Sequence, residues 1–434
     1  MGADTIILGA GVTGLAAALS SGLRVFEAQP VPGGICSSYY VRPGEGDRLY
    51  RVPDDGEAYR FEIGGGHWIF GGDPAVLEFI RRTTTVKTYR RRSAVYFSRD
   101  DLYVPYPIQN HLSYLGRDTA AKVIDEIINA PRLVPETMAE WLEVSFGKTL
   151  TELFFAPFHE LYTAGLWTRI APQDAYKSPV DLSCAVRGAL GESEPVGYNV
   201  TFIYPEEGLN ELAGRMGDRA EIHYSSRVAA IDPRRREVQF EDGSGVGYER
   251  LISTLPLNKM VDYARCDPGE EPDCYTSVLV LNIGAERGER CPDHHWLYIP
   301  DSRSRFHRVG FYSNVDPSFL PASSRKENSK VSIYVEKAYV GGQRPADEEV
   351  RRYAADTVAE LKEWGFVGDV EVVDPTWIEV AYTWSWPGSR WRQNAMEALR
   401  KQGIFQVGRY ARWVFQGIAD SLRDGFFAGA ALGR

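Results

Sequence analysis

The chain has 434 residues, 44% of them apolar and 12% aromatic, and carries a formal net charge of −10. That length predicts two or three structural units around an ample interior, and the acidic balance argues against a nucleic acid or an anionic membrane as a general partner. No apolar run approaches the roughly 20 residues of a membrane span, and the apolar N-terminal run leads into a glycine motif rather than a cleavage site, so a soluble cytoplasmic protein is expected.

Residues Thr5 to Leu8 are apolar and β-prone and run into Gly9-Ala10-Gly11-Val12-Thr13-Gly14, followed by a helical LAAAL. A GxGxxG between strand and helix predicts a dinucleotide site. Its glycines permit a tight turn, approach of a pyrophosphate and close helix-to-strand packing, while the helix N-terminus presents unpaired N–H groups. A second strand, Leu23 to Phe26, ends in Glu27, a carboxylate suited to the ribose diol of FAD or NAD. The interval from Gly14 to Glu27 is about one helical turn short, so the crossover helix must be stubby. Pro32-Gly33-Gly34 comes next. GxGxxG followed by EAxxxxGG resembles the two-dinucleotide-fold flavoproteins, the superfamily of amine oxidases, protoporphyrinogen oxidases and UDP-galactopyranose mutases. The resemblance implies an α/β protein with a discontinuous Rossmann-like FAD-binding domain, a helical insert and a β-sheet substrate domain. Expected boundaries are 1–80, 196–260 and 391–434 for the FAD-binding parts, 81–195 for the helical substrate-side domain and 261–390 for the β-sheet substrate domain.

Farther along, Tyr59 to Ile63 reads as a strand leading into Gly64-Gly65-Gly66-His67. Bare backbone at Gly65 and Gly66 would let a flat ring approach, with His67 positioned at its edge. Apolar spacings of three and four predict helices over Pro74 to Arg82, Thr119 to Asn129, Pro135 to Val144 and Leu150 to Leu161. Short strands fill Ile222 to Pro256, with an Asp242-Gly243 hairpin. By resemblance this ribbon returns to the FAD domain and brings the backbone at Val228 near the adenine. Another β-rich region spans Tyr275 to Val373, with a helix at about Asp347 to Trp364. Finally Gly408-Arg409-Tyr410 precedes a helix carrying Asp420 and Ser421. In the superfamily such a segment contacts the flavin pyrophosphate and the pyrimidine edge of the ring, although Ala411 stands here in place of the usual glycine.

Four segments resemble the sugar mutases within that superfamily. They are GGHWIF at Gly65 to Phe70, PFHELYTAGLWTRIAPQD at Pro157 to Asp174, HHWLYIPDSRSRFHRVGFYSN at His294 to Asn314, and GRYARWVFQGIADSLRDG at Gly408 to Gly425. The match implies His67, Arg169 and Arg308 as catalytic residues, and a substrate site made of Trp167, Arg169, Phe202, Tyr204, Arg308, Asn314, Tyr382 and Trp386. Arginine offers a rigid fork of donors suited to diphosphate oxygens, so Arg169 and Arg308 are expected to hold a nucleoside-diphosphate sugar and stabilise its departing diphosphate. The implied reaction interconverts pyranose and furanose forms through a reduced-flavin N5 sugar adduct, with the cofactor supplying the nucleophile. FAD must then be reduced; no second GxGxxG is visible, which leaves the reductant open between NAD(P)H sharing the cleft and a protein donor such as ferredoxin.

Two departures matter. Trp386-Pro387 replaces the family's Tyr-Pro, with Tyr382 four residues upstream, and an indole cannot accept a hydrogen bond from a phosphate neighbour. In addition YNVTFIYPEEGLNEL resembles the family's FxxP…GG segment, but Ile203 stands between Phe202 and Tyr204 and a second glycine is missing, which leaves Phe202 and Tyr204 open between stacking on a base and packing in a core. Of seven histidines only His67 is assigned a site role, no HxxxH or HExxH predicts a metal, and the five cysteines, Cys36, Cys184, Cys266, Cys274 and Cys291, show no CxxC spacing and are expected as reduced thiols. The competing expectations are an oxidoreductase of the amine oxidase or desaturase type and a protein that binds FAD without catalysis.

Overall fold

The structure is a computed structural model and describes residues 5–131, 133–173, 181–192 and 200–433. At its base lies a five-stranded parallel sheet in the order Ile222–His223, Val25–Phe26, Thr5–Leu8, Arg250–Ser253 and Ile404–Gln406. Ile6, Ile7 and Leu8 are fully buried, as a strand covered on both faces requires. The first helix, Val12–Ser21, has ten residues and stops at Gly22, which adopts φ 73°. The crossover is as stubby as the spacing predicts. Against it packs the last helix, Ile418–Leu432, through glycines: a Cβ at Gly425 or Gly429 would fall on the carbonyls of Thr13 and Ala17. Three chain pieces far apart in sequence thus form one α/β unit.

The predicted ribbon is an antiparallel meander of Val228–Asp232, Glu237–Phe240 and Gly245–Gly247. A larger, seven-stranded sheet has the order Val367–Thr383, Tyr275–Arg287, Lys330–Val340, Arg308–Phe311, Trp296–Tyr298, Ser93–Phe97 and Leu102–Pro105. The helix Asp347–Glu363 packs on it. Its last two strands come from the segment expected to be helical. Helices begin only after them, because SAVYF is a continuous buried β-prone run rather than a 3.6-residue repeat.

Arg117–Ile128, Met138–Leu150, Ala156–Tyr162 and Leu182–Ala189 make up the helical layer. Thr137 and Glu140 close a capping box at the second of these, which fixes the phase at which Met138, Trp141 and Leu142 face inward. Gly147, with φ 76°, kinks that helix, and a π-helical turn at Thr151–Phe155 follows. Among the described residues no helix is long and apolar enough to cross a membrane.

Candidate functional site

A cavity of about 500 Å³ opens where three of the parallel strands end. Gly9, Thr254 and Val407 each line it immediately after a strand, or one residue beyond, which is the crevice at carboxyl strand ends where α/β sheets bind ligands. At this end the cavity is walled by Gly9, Gly11, Thr13, Glu27, Gly33 and Gly34. Apart from its chain neighbours nothing lies within 4 Å of where a Cβ on Gly11 would project, and Gly11, Val12 and Thr13 bring the N-terminus of Val12–Ser21 to the cavity. Glu27 closes this end: its Oε2 accepts the Ala10 N–H at 2.6 Å and its Oε1 the Gln29 N–H at 2.8 Å. Burial pushes its carboxyl pKa up, partly offset by those hydrogen bonds.

Midway along, Gly66, His67, Arg308, Tyr334, Glu336, Tyr382 and Arg409 meet. Arg308 and Glu336 are direct cross-strand partners, with the guanidinium 3.4 Å from both carboxylate oxygens and 5.5 Å above the Tyr298 ring. Burial pushes the Glu336 carboxyl up, but Arg308, followed by His307, outweighs it and holds the group below its ordinary range. An ionised carboxylate therefore holds the arginine in place. His67 Nδ1 lies 3.2 Å from the Gly65 carbonyl. A carbonyl only accepts, so Nδ1 carries the proton and Nε2 is left as an acceptor. Burial, then Arg409, lowers the His67 pKa to about 4, and the ring is neutral at physiological pH.

Of the sequence-predicted residues, Gly9, Gly11, Glu27, Gly33, Gly34, Gly66, His67, Arg308, Tyr382, Arg409 and Ser421 line this cavity. Others act beneath it. Gly14 carries no side chain because a Cβ there would fall on the Gly9 carbonyl, and Gly408 because one would press on Thr13. Gly65 faces Glu336, whose Oε1 would stand 2.9 Å from an added Cβ, and Gly66 faces the Tyr334 hydroxyl; the bare backbone answers these side chains. Val228 packs with Phe26 and Phe240 in a buried cluster, and Asp420 lies beside Arg423 at 3.5 Å.

Several predicted substrate residues lie elsewhere. Phe202 and Tyr204 share one face of the central strand Thr201–Pro205 and are core: Phe202 packs on Trp68 and Tyr89, and Tyr204 donates its hydroxyl proton to Glu62. The Asn314 amide donates to the carbonyls of Pro292 and His294 at 2.7 and 2.8 Å and accepts from Arg287 at 2.9 Å, which commits it to the loop. Trp167 donates to Glu160 at 3.1 Å. Arg169 is exposed, its guanidinium 5.1 Å above the Trp386 ring, whose indole N–H donates to the Pro272 carbonyl at 3.1 Å. None of these residues lines the cavity, so the two arginines are not brought together; Asp174, which ends the second motif, lies outside the described residues.

Sequence reasoning missed Tyr106, Phe158, Tyr162, Tyr298, Tyr334 and Glu336, all of which line the cavity. Alternation in KVSIYVE places Tyr334 and Glu336 on one strand face, a signal that was present but unspecific.

Residues 12–428 match the family described as flavin containing amine oxidoreductase. The chain belongs to that family. It is similar in fold to a crystal structure of reduced UDP-galactopyranose mutase, with a TM-score of 0.82 and 21% identity over 98% of this chain and 94% of the other. A putative protoporphyrinogen oxidase from Exiguobacterium sp. 255-15 gives a TM-score of 0.72 at 15% identity, over 100% and 99% of the two chains. A CLA-producing fatty acid isomerase from P. acnes gives 0.61 at 15%, over 99% of each. At such identities the likeness is one of fold. Family membership implies a flavin cofactor, and the residues present fit it: the space beside Gly11, the helix N-terminus and Glu27 suit its dinucleotide, and the cavity runs on past Gly64, Gly66, His67 and Arg409, where its ring would follow.

Proposed function

We propose that this chain is an FAD-dependent mutase that interconverts pyranose and furanose forms of a nucleoside-diphosphate sugar resembling UDP-galactose. The observation that carries the reading is Arg308, a cation fixed by Glu336 inside the cavity and beside His67. A guanidinium held in place in the cavity suits a diphosphate that accumulates charge as it leaves. Bound flavin, in its reduced form, supplies the nucleophile. The chain's own residues then have defined tasks: Glu336 orients Arg308, and neutral His67 offers an acceptor nitrogen at the glycine loop. The likeness to reduced UDP-galactopyranose mutase supports this reading. To test it, the holoprotein is reduced anaerobically with dithionite and given UDP-galactopyranose, then dTDP- and GDP-sugars, with products resolved by NMR. A furanose product is expected; its absence with every donor overturns the reading.

One observation favours a second reading, oxidation of an apolar substrate. Arg169 stands outside the cavity, and the wall on the helical side is dominated by aromatic and aliphatic side chains. Steady oxygen consumption, or flavin bleaching by an amine or a polyene without added reductant, would establish it instead.

A further inference from the structure

Arg308 is not the only basic side chain beside Glu336. His307 is fully buried and is not among the residues that line the cavity. Its main-chain N–H donates to the Glu336 carbonyl at 3.0 Å, and its ring Nε2 stands 3.4 Å from Glu336 Oε2. The other groups facing the ring are Arg308 and, from the helix Ala156–Tyr162, Phe158 and Tyr162, with centroids 6.1 and 5.3 Å away. Beyond them His67 lies near Glu336, and Tyr298, Tyr334 and Tyr382 lie near Arg308. Both His307 ring nitrogens, Glu336 Oε2 and Arg308 Nε are buried without a hydrogen-bond partner among the described residues. Unmade hydrogen bonds of this kind are costly, and here they gather beside the one cation that Glu336 fixes in the cavity.

Charge gives them a use. Arg308 is a cation, Glu336 is ionised, and His307 is neutral because burial holds its pKa down, so the three together carry no net charge. A dianion arriving at Arg308 competes with Glu336 for one guanidinium and sets like charges side by side in a buried place. An imidazole ordinarily titrates at about pH 6.5, and in either neutral tautomer it keeps one bare nitrogen that can accept a proton. Two imidazoles are near. At His67 the cation Arg409 outweighs Glu336, whereas at His307 Glu336 outweighs Arg308. We infer that His307 is a positioning residue of the anion site, which takes up one proton from solvent when an anion binds Arg308. The imidazolium then holds Glu336, and the guanidinium gives its charge to the ligand. This rests on the proposed function only in taking Arg308 as the anion site.

The test counts protons on binding, with the flavin left oxidised so that turnover plays no part. Holoprotein is titrated by calorimetry with UDP-galactopyranose and, separately, with sulfate, near neutral pH in PIPES, MOPS and Tris; neither anion titrates there. The slope of observed heat against buffer ionisation enthalpy is expected to show uptake of about half to one proton. Because His307 is neutral in the free protein and charged in the complex, Kd should rise with pH, by up to about tenfold per unit, between its free and bound pKa values and be flat above. His307→Gln keeps a hydrogen-bonding group beside Glu336 but cannot titrate, and should abolish both uptake and pH slope; His67→Gln should keep both. Should His307→Gln fail to retain flavin, Glu336→Gln is read in its place, since without the carboxylate nothing holds the imidazolium and uptake should vanish. No uptake by the unmodified protein, uptake undiminished in the His307 or Glu336 variant, or uptake lost in His67→Gln each overturns the inference. Uptake with sulfate while UDP-galactopyranose fails to bind leaves the inference standing and sinks the nucleotide-sugar reading. Failure of both anions to bind removes the anion site and the inference with it, and a furanose product from a holoprotein that takes up no proton sinks the inference alone.

Discussion

The two ends of the cavity are built on opposite plans. The cradle at the parallel strand ends is backbone: Gly9, Gly11, Gly33 and Gly34 line it, and the one acid there, Glu27, is itself held by main-chain N–H groups. The far wall is side chain, mostly aromatic and aliphatic with His159, Gln173, Arg308 and Glu336 among them, gathered from the helical layer and the seven-stranded sheet. Recognition by backbone depends on local φ/ψ and on the absence of Cβ atoms, so it tolerates few substitutions. Recognition by apolar side chains depends on summed volume and tolerates many. The cradle thus suits a cofactor of fixed structure, and the wall is the part that substitution can reshape at least cost to the fold.

Five variants and conditions sharpen or break that contrast. The largest effect is expected at the junction. Arg308→Ala leaves the Glu336 carboxylate buried without its main partner and should cost about 3–5 kcal/mol in denaturant stability, together with a roughly tenfold or greater loss of diphosphate affinity. Arg169→Ala, at an exposed position, should shift stability by no more than about 0.5 kcal/mol. Equal losses of affinity for both variants, read by calorimetry, would mean that the outer arginine also reaches the ligand. In the cradle, Gly14→Ala forces a methyl group onto the Gly9 carbonyl and should cost about 1–3 kcal/mol, seen as lowered flavin content per chain after gel filtration. Unchanged flavin content would remove the case for a backbone cradle.

Smaller effects are expected away from it. Phe202→Leu exchanges one core side chain for another and should cost about 1 kcal/mol in urea unfolding with ligand affinity unchanged; a fall in affinity alone would return Phe202 to the substrate site. The last prediction is a pH dependence. His67 has a folded-state pKa of about 4 against an ordinary value near 6.5, so below about pH 6.5 the unfolded chain binds a proton that the folded chain refuses. Its contribution to stability is lost as pH falls from about 6.5 towards 4 and is flat above. An imidazole NMR signal from His67 that titrates between pH 6 and 8 would contradict this.

What the sequence made legible follows the same division. The cradle is written in about thirty consecutive residues, and each of its glycines has a local reason, so spacing alone located it. The helical layer was mostly visible as well, but its start was misplaced because Ser93–Phe97 pairs with Trp296–Tyr298, about two hundred residues away. The Arg308–Glu336 pair depends on strand register, which no local pattern specifies. Phe202 and Tyr204 stayed open between two readings because an aromatic side chain that stacks on a base and one that fills a core look alike in a sequence. Arg169 went astray because a motif transfers residue type but not the loop path that decides which side of a rim a long side chain occupies.

The three-piece parallel sheet has a consequence in time. Its outer strand Ile404–Gln406 and the helix Ile418–Leu432, which covers Val12–Ser21, come from the last thirty or so residues of the chain, whereas the phosphate-facing glycines come from the first. During synthesis the motif that first marks the chain as a flavoprotein must wait, without its covering helix, while some four hundred residues emerge. Cofactor loading is therefore expected only after the helix Ile418–Leu432 has emerged, and a ribosome-bound nascent protein lacking that helix should be colourless.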